Sequence, residues 1–108
     1  MSTEKRNRVL RAMAGLIAER SEAILNANAQ DIDSYDPSDK AMYDRLKVDA
    51  SKISGMVESL EQLAQQEDPL GIERYSFVHE NGLKIRNLTA AFGTVLIIYE
   101  SRPDVTVE

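Results

Sequence analysis

The chain has 108 residues, enough for one domain with a modest core, and 43% of them are hydrophobic, as in folded globular proteins. Its formal net charge of −5 argues against non-specific nucleic-acid binding, which needs a basic surface. Cysteine is absent and histidine occurs once, which excludes disulfides, thiolate or histidine-cluster metal sites and a cysteine nucleophile within these residues.

The first third of the chain predicts helix, over about residues 4–33. Neither a secretory signal nor an apolar run of membrane-spanning length is present there or further along. Ser21 is a candidate cap for a second helical segment, so one long helix and two shorter ones both remain open. Apolar residues at helical spacing mark one face as core or interface: Val9, Met13, Leu16, Ile17 and Ile24.

Two shorter helices are predicted next. Asp36 is the expected cap of the first, with Pro37 in its first turn. Residues 48–66 give the clearest amphipathic pattern of the chain; Asp49 is the expected cap, and Asp68-Pro69 ends the helix. The apolar stripe of this helix comprises Ile53, Met56, Val57, Leu60, Leu63 and Ala64.

After Gly71 the hydrophobic period changes to two, which indicates strands. Residues 74–79 and 83–90 read as a β-hairpin, and Asn81-Gly82 accepts the positive φ angles of a tight turn. The alternation slips phase near Asn87, which predicts a β-bulge.

Gly93 precedes TVLIIY, residues 94–99, a continuous apolar run of strand length. Such runs are typical of strands covered on both faces in a parallel α/β sheet. A parallel strand needs a parallel neighbour, and the residues before it offer only an antiparallel hairpin. We therefore expect this strand to belong to a sheet whose other members lie outside these residues.

Several separated blocks resemble γ-glutamyl phosphate reductase (glutamate-5-semialdehyde dehydrogenase), of the aldehyde dehydrogenase superfamily. The opening helices match in RAMAGLIAERSEAILNANAQDI, including residues 25–28 and Asp31. DRLKVD, EDPLG and NGLKI match further on, and YESRPDVTVE matches the signature turn of the family. Two positions depart from the usual pattern: Ala91 replaces a proline, and Asp104 replaces an asparagine.

The resemblance implies an α/β fold like the N-terminal portion of an aldehyde dehydrogenase. Residues 1–108 would form the N-terminal part of the NADP-binding domain, with 1–67 mainly helical, then a hairpin over 72–92 that resembles oligomerisation strands, then the first strand of the nucleotide-binding sheet. The catalytic domain would be absent, so the chain is expected to be an N-terminal fragment.

For a complete family member, the resemblance implies NADPH-dependent reduction of γ-glutamyl phosphate to glutamate 5-semialdehyde and phosphate, in proline biosynthesis. A cysteine thiolate displaces the phosphate, and the resulting thioester accepts hydride. That cysteine is expected beyond Glu108, so this chain should hold no catalytic residue of its own and be inactive alone. A cytoplasmic homo-oligomer is expected, strand-swapped in the fragment, with no membrane or nucleic-acid partner.

The signature turn supplies the candidate site residues. By the resemblance, Ser101 falls near the oxyanion position, and Arg102 is placed to hold a substrate carboxylate or phosphate. Tyr99 and Glu100 are expected near the cofactor, through their backbone. The alternatives are a Ser101 hydroxyl that ties down its own turn and an Arg102 ion pair with Glu100 or a neighbouring carboxylate.

A function of a different class also remains open. Helices joined to a hairpin with exposed edges suit a non-catalytic module that associates with its own copies. Size-exclusion chromatography with light scattering distinguishes the two, because a clean monomer contradicts the module.

Overall fold

The computed structural model describes residues 1–36 and 38–108, so the prediction that Pro37 opens a helix lies outside the described residues. Two compact units are present, one formed by Met1–Gln66 with Ile98–Glu108 and the other by Glu67–Ile97. The elements in chain order are α1 (Thr3–Glu19), α2 (Ser21–Ser34), α3 (Lys40–Leu46), α4 (Ala50–Gln65), β1 (Glu73–Val78), β2 (Lys84–Leu88) and a 3-10 helix at Pro103–Thr106.

The first helical segment is two helices. Arg20 interrupts it with φ −99° and ψ 16°, and its carbonyl still accepts a hydrogen bond from the N–H of Ile24 at 3.0 Å. Ser21 is the first residue of α2 and makes no capping hydrogen bond, so its predicted role as a cap is wrong. Ser2 caps α1 instead, its hydroxyl accepting from the N–H of Lys5 at 3.3 Å.

The core of the helical unit lies where α1 packs along α4. Its fully buried apolar residues are Ala14 from α1 and Ile53, Leu60 and Ala64 from α4. The predicted α4 stripe is thus confirmed along its centre, although Leu63 at its margin is exposed.

The buried side of α1 agrees with the predicted face at Ile17 but differs from it at the other positions within this helix. Leu10, Ala14 and Ile17 turn toward the core, whereas Val9, Met13 and Leu16 are exposed. Both sets recur at three- and four-residue spacing, so the period alone does not distinguish them. The exposed residues Val9, Met13 and Leu16 are available as an interface, the alternative to a core position in the prediction.

An aspartate caps α3 and another caps α4, and the cap of α3 is not the predicted residue. Asp39 caps α3, accepting from the N–H of Met42 at 3.1 Å, whereas Asp36 accepts from the N–H of Ser38 at 2.9 Å and so stabilises the preceding turn. Hydrogen bonds from the backbone N–H and then the side chain of Ser38 favour the charged carboxylate and lower the pKa of Asp36. Asp49 caps α4 as predicted, with the N–H of Lys52 at 2.8 Å.

The predicted hairpin is present, with β1 and β2 antiparallel and Phe77 opposite Ile85. The bulge also lies at the predicted level, but its extra residue is Arg74 of β1, facing the step between Asn87 and Leu88. Beyond the strands, Thr89 extends the pairing through its carbonyl and hydroxyl to Gly71 and Ile72.

The hairpin turn has a three-residue loop, Glu80–Gly82, closed by a 2.8 Å hydrogen bond from the His79 N–H to the Leu83 carbonyl. Only Gly82 has a positive φ, of 84°, so the expected positive φ at Asn81 is wrong. Asn81 contributes its side chain instead, accepting from the N–H of Leu83 at 3.0 Å.

The predicted third strand, residues 94–99, forms no ladder with any described residue. Leu96 and Ile98 leave 84% and 89% of their surfaces exposed. A β-strand exists only as a hydrogen-bonded pair, and the described residues supply no parallel neighbour. The segment therefore does not form the predicted strand within the described residues, and its apolar side chains stay exposed.

Candidate substrate-binding turn

The candidate residues lie on one segment, residues 99–106, here called the C-terminal turn. Ser101 reverses the chain with a φ of 52°, in the left-handed region that few residues other than glycine adopt. Pro103 follows and begins the 3-10 helix, where its fixed φ suits the first position. The N–H of Val105 donates to the Arg102 carbonyl at 3.1 Å, which closes this helix.

Arg102 leads into the 3-10 helix, and its side chain is exposed. Among residues 1–36 and 38–108 its guanidinium makes no ion pair or hydrogen bond, so the alternative of a pair with Glu100 is not realised there. Its N–H donors therefore have no partner among the described residues, and the exposed guanidinium is available to a planar anion.

Ser101 is half-buried. Its hydroxyl makes no hydrogen bond with any described residue, so it does not tie down its own turn, the alternative considered above. The backbone alone sets the reversal here, and the hydroxyl remains available as a donor.

Tyr99 and Glu100 begin the turn, and both are exposed. The Tyr99 hydroxyl shares a short hydrogen bond with the Thr106 hydroxyl, across the base of the turn. Glu100 makes no ion pair within the described part of the chain. Sequence reasoning missed Thr106, because a contact between residues seven apart in irregular backbone has no periodic signal.

A cleft of about 330 Å³ lies between α4 and the end of the C-terminal turn. Its lining combines apolar side chains with charged ones of both signs. The cleft is lined by Lys52, Gly55, Met56, Ser59, Leu60, Leu63, Asp104, Val107 and Glu108.

Other kinds of site are not supported by the described residues. They hold no group of three metal-ligating His, Asp or Glu side chains, and none of their helices is long and apolar enough to cross a membrane. His79 is exposed in the hairpin turn, where its Nδ1 accepts from the N–H of Asn81 at 3.5 Å, a local role.

No protein-family model matches the chain. Curated relatives do: γ-glutamyl phosphate reductase of Wolinella succinogenes is 46% identical over 105 residues, covering 95% of the chain and 26% of the relative. The enzyme of the same name from Erythrobacter litoralis is 41% identical, covering 96% of the chain and 25% of the relative. The chain is homologous to γ-glutamyl phosphate reductase. It spans about a quarter of the length of these relatives.

A crystal structure of γ-glutamyl phosphate reductase from Thermotoga maritima has the same fold over the whole chain. The TM-score is 0.85 at 33% identity, and the match covers 27% of that reductase. The resemblance and the fold class predicted from the sequence are therefore confirmed: four helices and a hairpin correspond to the N-terminal part of a γ-glutamyl phosphate reductase. None of the comparisons favours a stand-alone interaction module.

Proposed function

We propose that the chain serves as the N-terminal part of a reductase that converts γ-glutamyl phosphate to glutamate 5-semialdehyde and phosphate, in proline biosynthesis. The observation that carries this proposal is the 46% identity that extends over 95% of the chain, rather than over one short motif. The match of the fold to a reductase of that name supports it independently.

Arg102 is the residue we assign to the substrate. The acyl phosphate is anionic at both ends, and a guanidinium binds a carboxylate or phosphate through two parallel hydrogen bonds. The exposure of Arg102 and the lack of a described partner for it support this role. Ser101, next to it, has an unengaged hydroxyl that suits a donor to the oxygen that becomes negative during reduction.

NADPH is the cofactor we propose for the complete enzyme, where it supplies the hydride. Within the described residues, the N–H groups of Glu100 and Ser101 donate to no backbone carbonyl, so both suit hydrogen bonds to a bound ligand. The exposed side chains of Tyr99 and Glu100 leave that backbone open. These residues fit a supporting role at the cofactor, through their main chain.

The chain contains no cysteine, whereas the reaction that the family resemblance implies requires a cysteine thiolate. We therefore propose that these residues bind and position but do not catalyse the reaction by themselves.

Residues 72–92 are proposed as oligomerisation strands of a cytoplasmic homo-oligomer. One face of the hairpin carries Tyr75 and Phe77, whose rings stack with centroids 6.4 Å apart, and Ile85 lies opposite Phe77. Both aromatic rings are about half exposed. An apolar face on a two-stranded sheet gains stability when another element covers it.

A chimaera tests the proposed activity. Residues 1–108 replace the matching N-terminal part of the Thermotoga maritima reductase, and the purified protein is assayed in reverse, as phosphate-dependent reduction of NADP⁺ by glutamate 5-semialdehyde. Activity is expected, and the same chimaera should restore growth without proline to a bacterium lacking its own reductase. The intact reductase and its remainder without these residues are the controls. A folded chimaera with the native oligomeric state and no activity would contradict the proposal.

A further inference from the structure

We propose that Tyr99 and Thr106 are positioning residues, whose mutual hydrogen bond holds Ser101 and Arg102 in the geometry that binds substrate. The inference rests on the proposed function and adds to it a role for two side chains that touch no ligand themselves. It concerns side chains rather than the backbone role considered above for Tyr99.

The hydrogen bond joins the two ends of the C-terminal turn. Tyr99 lies just before the reversal and Thr106 is the last residue of the 3-10 helix. The hydrogen bond between their hydroxyls therefore closes a loop whose two end residues are seven positions apart. Inside that loop, the 3.1 Å bond from the Val105 N–H to the Arg102 carbonyl closes a smaller ring. Ser101 lies between the outer and the inner hydrogen bond, and Arg102 accepts the inner one through its carbonyl.

Ser101 explains why the turn needs a tie. A serine with φ of 52° occupies a region that L residues adopt rarely, and such residues persist where surrounding contacts over-determine them. The Ser101 hydroxyl makes no hydrogen bond with described residues that would serve this purpose. Among the described residues, the contacts that restrain the turn are therefore the Tyr99–Thr106 bond and the hydrogen bonds of the 3-10 helix.

The two hydroxyls are occupied by each other, so neither is assigned a direct part in the reaction. Their removal should instead broaden the range of positions of the Arg102 guanidinium. A bidentate contact requires a defined orientation, so substrate binding weakens more than the chemical step.

The first test uses the chimaera carrying residues 1–108. Tyr99→Phe and Thr106→Val should each raise KM for glutamate 5-semialdehyde by about 3- to 10-fold, the range for one lost hydrogen bond, with kcat changed less than KM. Thr106→Ser keeps the hydroxyl and should restore the parent KM. An unchanged KM in both Tyr99→Phe and Thr106→Val overturns the inference, as does a Thr106→Ser variant as impaired as Thr106→Val.

The second test needs no activity and uses the chain as it stands. Amide hydrogen exchange at Val105 and Val107, whose N–H groups bond within the 3-10 helix, should accelerate in Tyr99→Phe, while exchange at Leu60 in α4 stays as in the parent. Equal exchange in parent and variant overturns the inference.

The two tests separate the two proposals. If the parent chimaera is inactive but amide exchange accelerates in Tyr99→Phe, the proposed function is contradicted and the restraining role of the Tyr99–Thr106 hydrogen bond is supported. If the chimaera is active and the substitutions change neither KM nor amide hydrogen exchange, the positioning role of Tyr99 and Thr106 is contradicted and the proposed function is not.

Discussion

The side-chain amide of Asn28 hydrogen-bonds to the backbone on both sides of Lys47. Its Nδ2 donates to the Leu46 carbonyl at 2.8 Å, and its Oδ1 accepts from the Val48 N–H at 2.8 Å. Asn28 is 8% exposed, and it is the buried polar residue of the described core. One side chain thus joins α2 to the link between α3 and α4.

Replacement of Asn28 by alanine should therefore destabilise the helical unit. Two backbone groups lose their partners at a largely buried position, which corresponds to about 2–3 kcal/mol in the free energy of unfolding. Urea denaturation followed by helical circular dichroism measures this change. Asn26→Ala, exposed on the same helix, is the matched control and should change stability by less than about 0.5 kcal/mol. Equal losses in the two variants would contradict the role of Asn28.

The α1–α4 core offers a second matched pair. Leu60 is 3% exposed and Leu63 is 50% exposed on the same helix. Leu60→Ala should lower the free energy of unfolding by about 2–4 kcal/mol, because it removes buried apolar contacts from the α1–α4 core. Leu63→Ala should lower it by less than about 1 kcal/mol. Thermal or urea unfolding of both variants checks the ranking, and the reverse order would place the core elsewhere.

Gly82 and Gly55 should respond in opposite directions to alanine. Gly82 has φ of 84°, so Gly82→Ala forces a side chain into the left-handed region and should cost the hairpin about 1–2 kcal/mol. Gly55 lies within α4, and a Cβ added there would meet no atom within 4 Å, so Gly55→Ala should stabilise that helix by about 0.5–1 kcal/mol.

Cross-strand nuclear Overhauser effects between Phe77 and Ile85 report the hairpin population, and urea denaturation reports the helical unit. A Gly82→Ala variant with full hairpin signals would mean that the loop adopts another turn.

The hairpin should weaken in acid through Glu73. Hydrogen bonds from the Ser76 side chain and then from Arg86, whose Nη2 lies 2.6 Å from Glu73 Oε2, lower the pKa of the Glu73 carboxyl. A lowered folded-state pKa means that the stabilisation is fully present above the unfolded-state pKa. It is lost as the pH falls through the folded-state value, so the window lies below about pH 4.5.

Carboxyl chemical shifts of Glu73 followed through a pH titration check this prediction. Ser76→Ala and Arg86→Gln should each move the pKa of Glu73 back toward its ordinary value. The effect of Arg86→Gln should shrink at high salt, because the pair is exposed. An identical titration of Glu73 in the parent and both variants would remove the assigned cause.

The purified chain should bind NADPH weakly or not at all. The C-terminal turn offers main-chain contacts, but cofactor recognition normally needs a sheet with a phosphate-binding turn, and residues 94–99 have no neighbouring strand here. Calorimetry or fluorescence of the chain and of the chimaera, side by side, measures the difference. Tight binding by the chain alone would place the main cofactor contacts within these residues.

Local signals in the sequence determined the start of α4, the hairpin and the family motif. Asp49 was predictable as the cap of α4 because an aspartate just before an apolar helical stripe can accept a hydrogen bond from a free N–H of the first turn. The change of hydrophobic period to two after Gly71 indicated the strands. The motif YESRPDVTVE identified the candidate turn, because its residues are adjacent in the chain.

Only the tertiary structure decided the contacts between distant positions. The structure buries the Leu10–Ala14–Ile17 side of α1 rather than an equally periodic alternative. It also shows that Asn28 links α2 to the segment between α3 and α4, and that Tyr99 hydrogen-bonds to Thr106. It also left residues 94–99 unpaired. The physical reason is common to all four: periodicity and capping depend on neighbours along the chain, whereas burial and pairing depend on which other surface is within reach.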